Sequence, residues 1–380
     1  MTRLELTGLT ARPSQVWGGV RLVPLVRDKP VEGLRLHREV YGGYGAGTVE
    51  VGPRTHYTSY IPHGFVADWT GEGTSTAAYG TQLATTGGRG TQSAPPRTLA
   101  LPRHRHHRLA KRQPGNRLRF LPLHLAMEGY LALHFGGPST AWEEWSRQAL
   151  RDGLSPRAED AYLGWTVRGL GDALRAFEIH PGQCGVMVYT ADALAAAFVV
   201  PHPGDYRLLH PTLIQDLYGE LVHQYALYGA PVTDFGARIP DGPHLRTLTA
   251  LRAAALRQER QWSEAHDTLF ARELLDTSYG FDRVYRMGSF TLSRFLPPFL
   301  RNRAGQHIGE TITDHKGRVA YLKTFRLSEA QIRRGHLLQR LADADWLLSR
   351  AARELGTSQD ELMRRIRAAG FASLLRDRSR

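Results

Sequence analysis

The run from Asp345 to Gly370 constrains the fold more than any other part of the chain, because its apolar residues recur at helical spacing in two short bursts. Ala351, Ala352 and Leu355 give a first helix a small apolar face, and Leu362, Ile366 and Ala369 give a second its core face. Gly356 falls where the first helix must stop and the chain turn, a position that favours a residue free to take positive φ. Ser358 followed by Glu361 reads as a capping box, with Ser358 the N-cap of the second helix. Small residues at 351 and 352 permit the close backbone approach that a steep helix crossing needs. Another amphipathic stretch, Glu329 to Leu341, precedes the pair.

Taken together, Ala351, Ala352, Leu355, Gly356, Thr357, Ser358, Leu362 and Ile366 resemble the C-terminal three-helix module of the Fis and NtrC type. The resemblance covers only the C-terminal segment. It implies a helix-turn-helix whose second helix enters a major groove, with double-stranded DNA as the partner. On that reading Ser358, Gln359 and Asp360 lie near base edges, while Arg364, Arg365 and Arg367 take phosphates. The chain departs from the family at the front of this helix. Asp360 and Glu361 stand where neutral or basic side chains are usual, and carboxylates accept from cytosine amines but oppose non-specific attraction. Helix pairs of this shape also serve as packing units and protein-docking modules, and these two acids are the residues that favour docking.

Charge supports a polyanionic partner. The formal net charge is +13, and the stretch from Arg97 to Arg119 holds seven arginines, one lysine and no acid. Arg103, Arg105, Arg108, Lys111 and Arg112 are therefore candidate phosphate contacts as well. The alternative is a solvated arginine-rich loop. His104, His106 and His107 lie in the same stretch, but the surrounding arginines would repel a metal cation, so no metal or other cofactor is expected. A single cysteine, Cys184, excludes an intramolecular disulfide and any structural zinc site needing two thiolates. With no signal pattern at the start and no apolar run able to span a bilayer, the cytoplasm is the expected compartment and no membrane contact is foreseen.

The rest of the chain divides into three parts on this reading. Residues 1–240 form an α+β body with a mixed or antiparallel sheet, interrupted at about 71–117 by a long Gly/Thr-rich and then basic loop. Its strands include Arg21 to Val26, Thr48 to Val51, and a pair at Gly182 to Tyr189 and Leu194 to Val200. Helices are expected around Pro156 to Phe177 and Pro211 to Tyr228. Gly42 to Gly47 is followed by a strand pattern rather than a helix, which argues for a hairpin or wide loop over a dinucleotide site. Residues 244–326 form a helical tract and a β-hairpin turning at Asp314 to Gly317, and residues 327–380 an all-α helix-turn-helix domain. The helical tract either mediates a homodimer, matching palindromic sites, or packs on its own domain.

Gly18 to Leu25, Gly185 to Tyr189 and the Leu213 to Tyr225 stripe loosely resemble a bacterial domain associated with ADP-ribosylglycohydrolases and rhodanese-type phosphatases. That resemblance implies a role in bacterial conflict or nucleotide-linked signalling and supplies no active-site residues. No phosphate loop, zinc-protease helix, nucleophile elbow or C-x-x-C pair occurs, so an enzyme is the weaker expectation and no catalytic residue is assigned. Cys184, flanked by Val186 and Val188, reads as buried rather than nucleophilic. The expectation is a DNA-binding transcriptional regulator with a sensor or partner-binding body. The competing reading is a defence component that processes a nucleotide or ADP-ribose-type ligand and uses its C-terminal helices for docking.

Overall fold

Val-Arg-Leu-Val-Pro-Leu-Val, residues 20–26, is buried at every position, so it needs neighbours on both edges and cover on both faces. The computed structural model describes residues 1–36, 174–208 and 241–371, with short strands between 48 and 79 and a few isolated positions such as His210. The first strands are β1 (Thr2–Arg3), β2 (Thr10–Ala11), β3 (Gln15–Trp17) and β4 (Val20–Val26). Two small sheets follow, one of β5 (Arg35–Leu36), β8 (Phe65–Asp68) and β9 (Ala77–Tyr79), the other of β6 (Thr48–Gly52) and β7 (Thr55–Thr58). Then come β10 (Gln183–Thr190), β11 (Ala193–Val199), β12 (Ser278–Met287), β13 (Phe290–Leu296), β14 (His307–Asp314) and β15 (Val319–Arg326).

Ten strands build one antiparallel sheet in the order β1-β12-β13-β14-β15-β11-β10-β4-β2, with β3 also pairing β4. β4 has neighbours on both sides yet carries Pro24, which has no N–H to give a ladder. Its carbonyl accepts the Arg12 N–H at 2.9 Å. In an antiparallel ladder a residue's N and C=O face the same neighbour. The missing donor therefore falls on the side where β2 and β3 meet β4 only at Leu25–Val26 and Val20–Leu22.

The expected strand pair at 182–200 is present as β10 and β11, and the hairpin turning at Asp314 to Gly317 as β14 and β15. Ala191 and Asp192, at the β10–β11 turn, both have positive φ (48° and 59°), as a two-residue hairpin of this hand requires. Neither is glycine. Asp192 is held instead by the buried Arg21, whose Nε donates at 2.9 Å.

α1 (Leu248–Ala265) runs into a π-helical turn, His266–Phe270, and is followed by α2 (Arg272–Leu275). Trp262, 1% exposed, stacks on His266 at 5.3 Å, and the Tyr189 hydroxyl meets His266 Nε2 at 2.5 Å. This polar contact docks the helix on β10. Leu248 and Leu251, at the start of α1, are exposed.

The remaining helices are α3 (Glu329–Asp343), α4 (Leu348–Glu354) and α5 (Gln359–Ala368). They occur where the sequence places three helices, yet the expected fold class must be corrected. The described residues are mainly β, a large antiparallel sheet with few, mostly short helices. They are not an α+β body carrying an all-α helix-turn-helix domain. Two physical reasons account for this. Ser278 to Leu296 pairs as β12 and β13, which sequence reading did not find. The apolar faces of the last three helices (Ile332, Leu338, Leu341, Leu362, Ile366) also belong to the same buried cluster as the sheet, rather than to a core of their own. The helices expected at 211–228 and over most of 156–177 lie outside the described residues.

Candidate functional site

α3 begins with a full capping box. Ser328 Oγ accepts from the Gln331 N–H at 3.3 Å, and Gln331 Oε1 accepts from the Ser328 N–H at 2.9 Å. Its inner face buries Ile332, Gly335, Leu338 and Leu341, leaving Arg333 exposed and Arg334 and His336 half-buried. Asp345 and Trp346, both at positive φ, turn the chain into α4.

α4 ends in a Schellman motif: the Gly356 N–H donates to Arg353 O at 3.1 Å and the Thr357 N–H to Ala352 O at 2.9 Å. Gly356 has φ +59°, which supplies the reason for glycine there. α5 closes in the same way through Gly370 and Phe371, whose N–H groups donate to Arg367 O and Ile366 O. Phe371 is buried beside the cluster, as the apolar residue of this motif usually is.

The capping box expected at Ser358 is only half made. Ser358 Oγ accepts from the Glu361 N–H at 3.2 Å, but the Glu361 carboxylate turns instead to Arg365 Nε at 3.0 Å and to Arg364. Glu361 thus neutralises part of the positive charge that the sequence reading aimed at phosphate. Asp360 and Glu361 in the first turn and Arg365 and Arg367 in the last also suit the helix dipole, so part of their role is local.

Ser358, Gln359, Asp360, Arg364, Arg365 and Arg367 are all exposed. They do not form a single surface. At about 100° per residue, Asp360, Arg364 and Arg367 lie within about 60° of one another, opposite Leu362 and Ile366. Arg365 is turned roughly 100–160° away from these three, towards α3. Arg103, Arg105, Arg108, Lys111 and Arg112 lie outside the described residues.

Arg365 turns into a cleft of about 390 Å³ between α3, α5 and the loop after β13. Arg301, Arg333, Arg334 and His336 line it with Arg365, over a floor that includes Leu337 and Leu355; none of the lining residues is acidic. The loop bearing Arg301 is held at both ends. Phe299 is 1% exposed, and its ring lies where a Cβ on Gly335 would stand. The buried Gln306 side chain takes the Leu300 N–H at 2.8 Å and donates to Leu300 O and Arg303 O, each at 2.7 Å. Burial, with Arg340 and Arg301 nearby, lowers the His336 pKa below the usual histidine range, so at neutral pH it is an uncharged edge of the cleft. Of the basic lining residues, only Arg365 stands out in the sequence. The available signal was the Arg333-Arg334 pair on the polar side of an amphipathic helix.

Cys184 is fully buried, its Sγ lies 3.7 Å from Leu25 O, and burial pushes the thiol up to about 11. Such a thiol is no nucleophile. His210, one of the histidines around it in sequence, instead meets the Tyr206 hydroxyl at 2.7 Å. No described helix is long and apolar enough to cross a membrane.

These features define a protein built on a broad antiparallel sheet with an arginine-lined cleft beside its last helices. A family model described as ARPP-2 matches residues 4–288, and the chain belongs to that family. No curated protein and no solved structure matches it. The matched span ends just past β12, so both the cleft and the three C-terminal helices lie beyond it.

Proposed function

We propose that the protein binds double-stranded DNA through the outward face of α5 and acts as a regulator whose ARPP-2 body receives a ligand or a partner. Arg364 and Arg367 contact phosphates, and Ser358, Gln359 and Asp360 at the start of the helix approach base edges. The observation that carries this reading is the placement of Arg364 and Arg367. Both are exposed on the side of α5 opposite its buried residues, and the Arg364 side chain is 76% exposed. Schellman closures at the C-terminal ends of α4 and α5 support it further, because they fix the direction of α5 without using its outer face.

The test is a salt titration of binding to a random duplex with the full-length protein. Substituting both residues (Arg364→Ala with Arg367→Ala) removes two phosphate contacts, so the slope of log affinity against log salt flattens by about 1.8. An unchanged affinity and slope would remove the DNA reading. Asp360, on the same outward face, favours the competing use of this surface for docking a basic protein partner.

A further inference from the structure

We propose that the arginine cleft between α3, α5 and the Arg301 loop is a small-molecule site that takes a phosphomonoester with an apolar or aromatic body, a mononucleotide being the size-matched case. The two halves of the cleft point to the two halves of such a ligand. The lining includes Arg301, Arg333 and Arg365 from three different elements, and guanidinium groups are planar forks that pair with phosphate oxygens in a bidentate way. The floor presents Leu337 and Leu355, against which a flat apolar body can lie.

Size separates this site from the proposed DNA surface. At about 390 Å³ the cleft is within the roughly 300–1,000 Å³ range of small-molecule pockets and too small to admit a duplex. The loop that carries Arg301 is fixed by the protein itself, through Phe299 against Gly335 and the buried Gln306. Two of the lining arginines have acid partners. Glu329 reaches Arg333 only at 3.5 Å with its side chain 87% exposed, and Glu361 meets Arg365 at the rim. The Glu329–Arg333 pair is exposed and worth little, and a phosphate dianion competes with the half-buried Glu361 for Arg365.

The site is independent of the DNA reading, and the experiment keeps the two apart. Calorimetric titration of the full-length protein uses AMP, adenosine and inorganic phosphate as probes. AMP is expected to bind with one site per chain, phosphate more weakly, and adenosine at least about tenfold more weakly than AMP, since it lacks the charged group. Arg301→Ala and, separately, Arg333→Ala should each weaken AMP about tenfold while leaving the melting temperature unchanged. Arg333 is exposed, so its variant remains informative even if the Arg301 loop fails to hold. The Arg364→Ala, Arg367→Ala variant should keep AMP affinity whatever it does to DNA. AMP binding no tighter than adenosine, or unaltered by both cleft variants, overturns the proposal. So does a result in which cleft variants lose DNA affinity while no small anion binds, which would assign the cleft to the duplex.

Discussion

Four charged residues stand side by side across the sheet, one per strand: Asp282 pairs with Arg294, Arg294 with Glu310, and Glu310 with Lys323. The row passes from exposed Asp282 to Lys323, which is 3% exposed. Burial lowers the Lys323 ammonium to about 8 despite the neighbouring Glu310 charge. Burial likewise pushes His210 to about 4 and His307 to about 3. All three groups are bases that the folded chain protonates less readily than the unfolded one does. Stability therefore rises with pH wherever the unfolded chain still holds the proton. For the histidines that window runs from the folded values up to about 6.5, and for Lys323 from about 8 up to about 10.5. Urea unfolding should show both climbs, each on the order of a few kcal/mol. His307→Leu should reduce the acid climb to the part that His210 supplies and leave the alkaline one, which belongs to Lys323. A stability curve that is level across both windows would contradict this account.

Among the elements, two glycines carry different burdens. Gly335 lets the Phe299 ring rest directly on α3, so Gly335→Ala should cost about 1–3 kcal/mol through a clash that neither side can easily relieve. Gly356→Ala has open space around it and should cost only about 1 kcal/mol, through the positive φ alone. Thermal melts of the two variants should rank them in that order, and only Gly335→Ala should disturb the cleft.

The same contrast explains what was legible in the sequence. Gly356, Ser358 and the 309–325 hairpin announce themselves because turns and caps are decided by neighbouring residues. β12 and β13 did not, because Asp282 and Arg294 look like surface charges until the ladder sets them opposite each other. The cleft was hidden for a similar reason. Arg301 meets Arg333 and Arg365 only once Phe299 has docked on Gly335. Ser358-x-x-Glu361 spacing announces a capping box, but spacing says nothing of Arg364 and Arg365, which take the Glu361 carboxylate instead.

On the scale of the whole molecule, the last helices are part of the core. Leu327, Ile332, Leu338 and Leu341 are each at most 3% exposed and belong to the cluster that also holds β14 and β15. Removing everything from Ser328 onward should uncover apolar area and lower the melting temperature. It should also create binding sites for a hydrophobic dye absent from the intact protein. A shortened chain that melts like the full one would show that these helices contribute little to the body. Loss of DNA binding after such a deletion would be uninformative for the same reason, which is why point variants are the sharper probe.

The strand order has a consequence for how the protein is made. β13, β14 and β15 lie between β12 and β11, so the segment up to residue 288 leaves two raw strand margins facing a gap. A ribosome must deliver residue 326 before that gap can be filled. Until then the nascent polypeptide waits half-zipped and sticky, and stalled or clipped products ending near 288 are the ones a cell would find clumped.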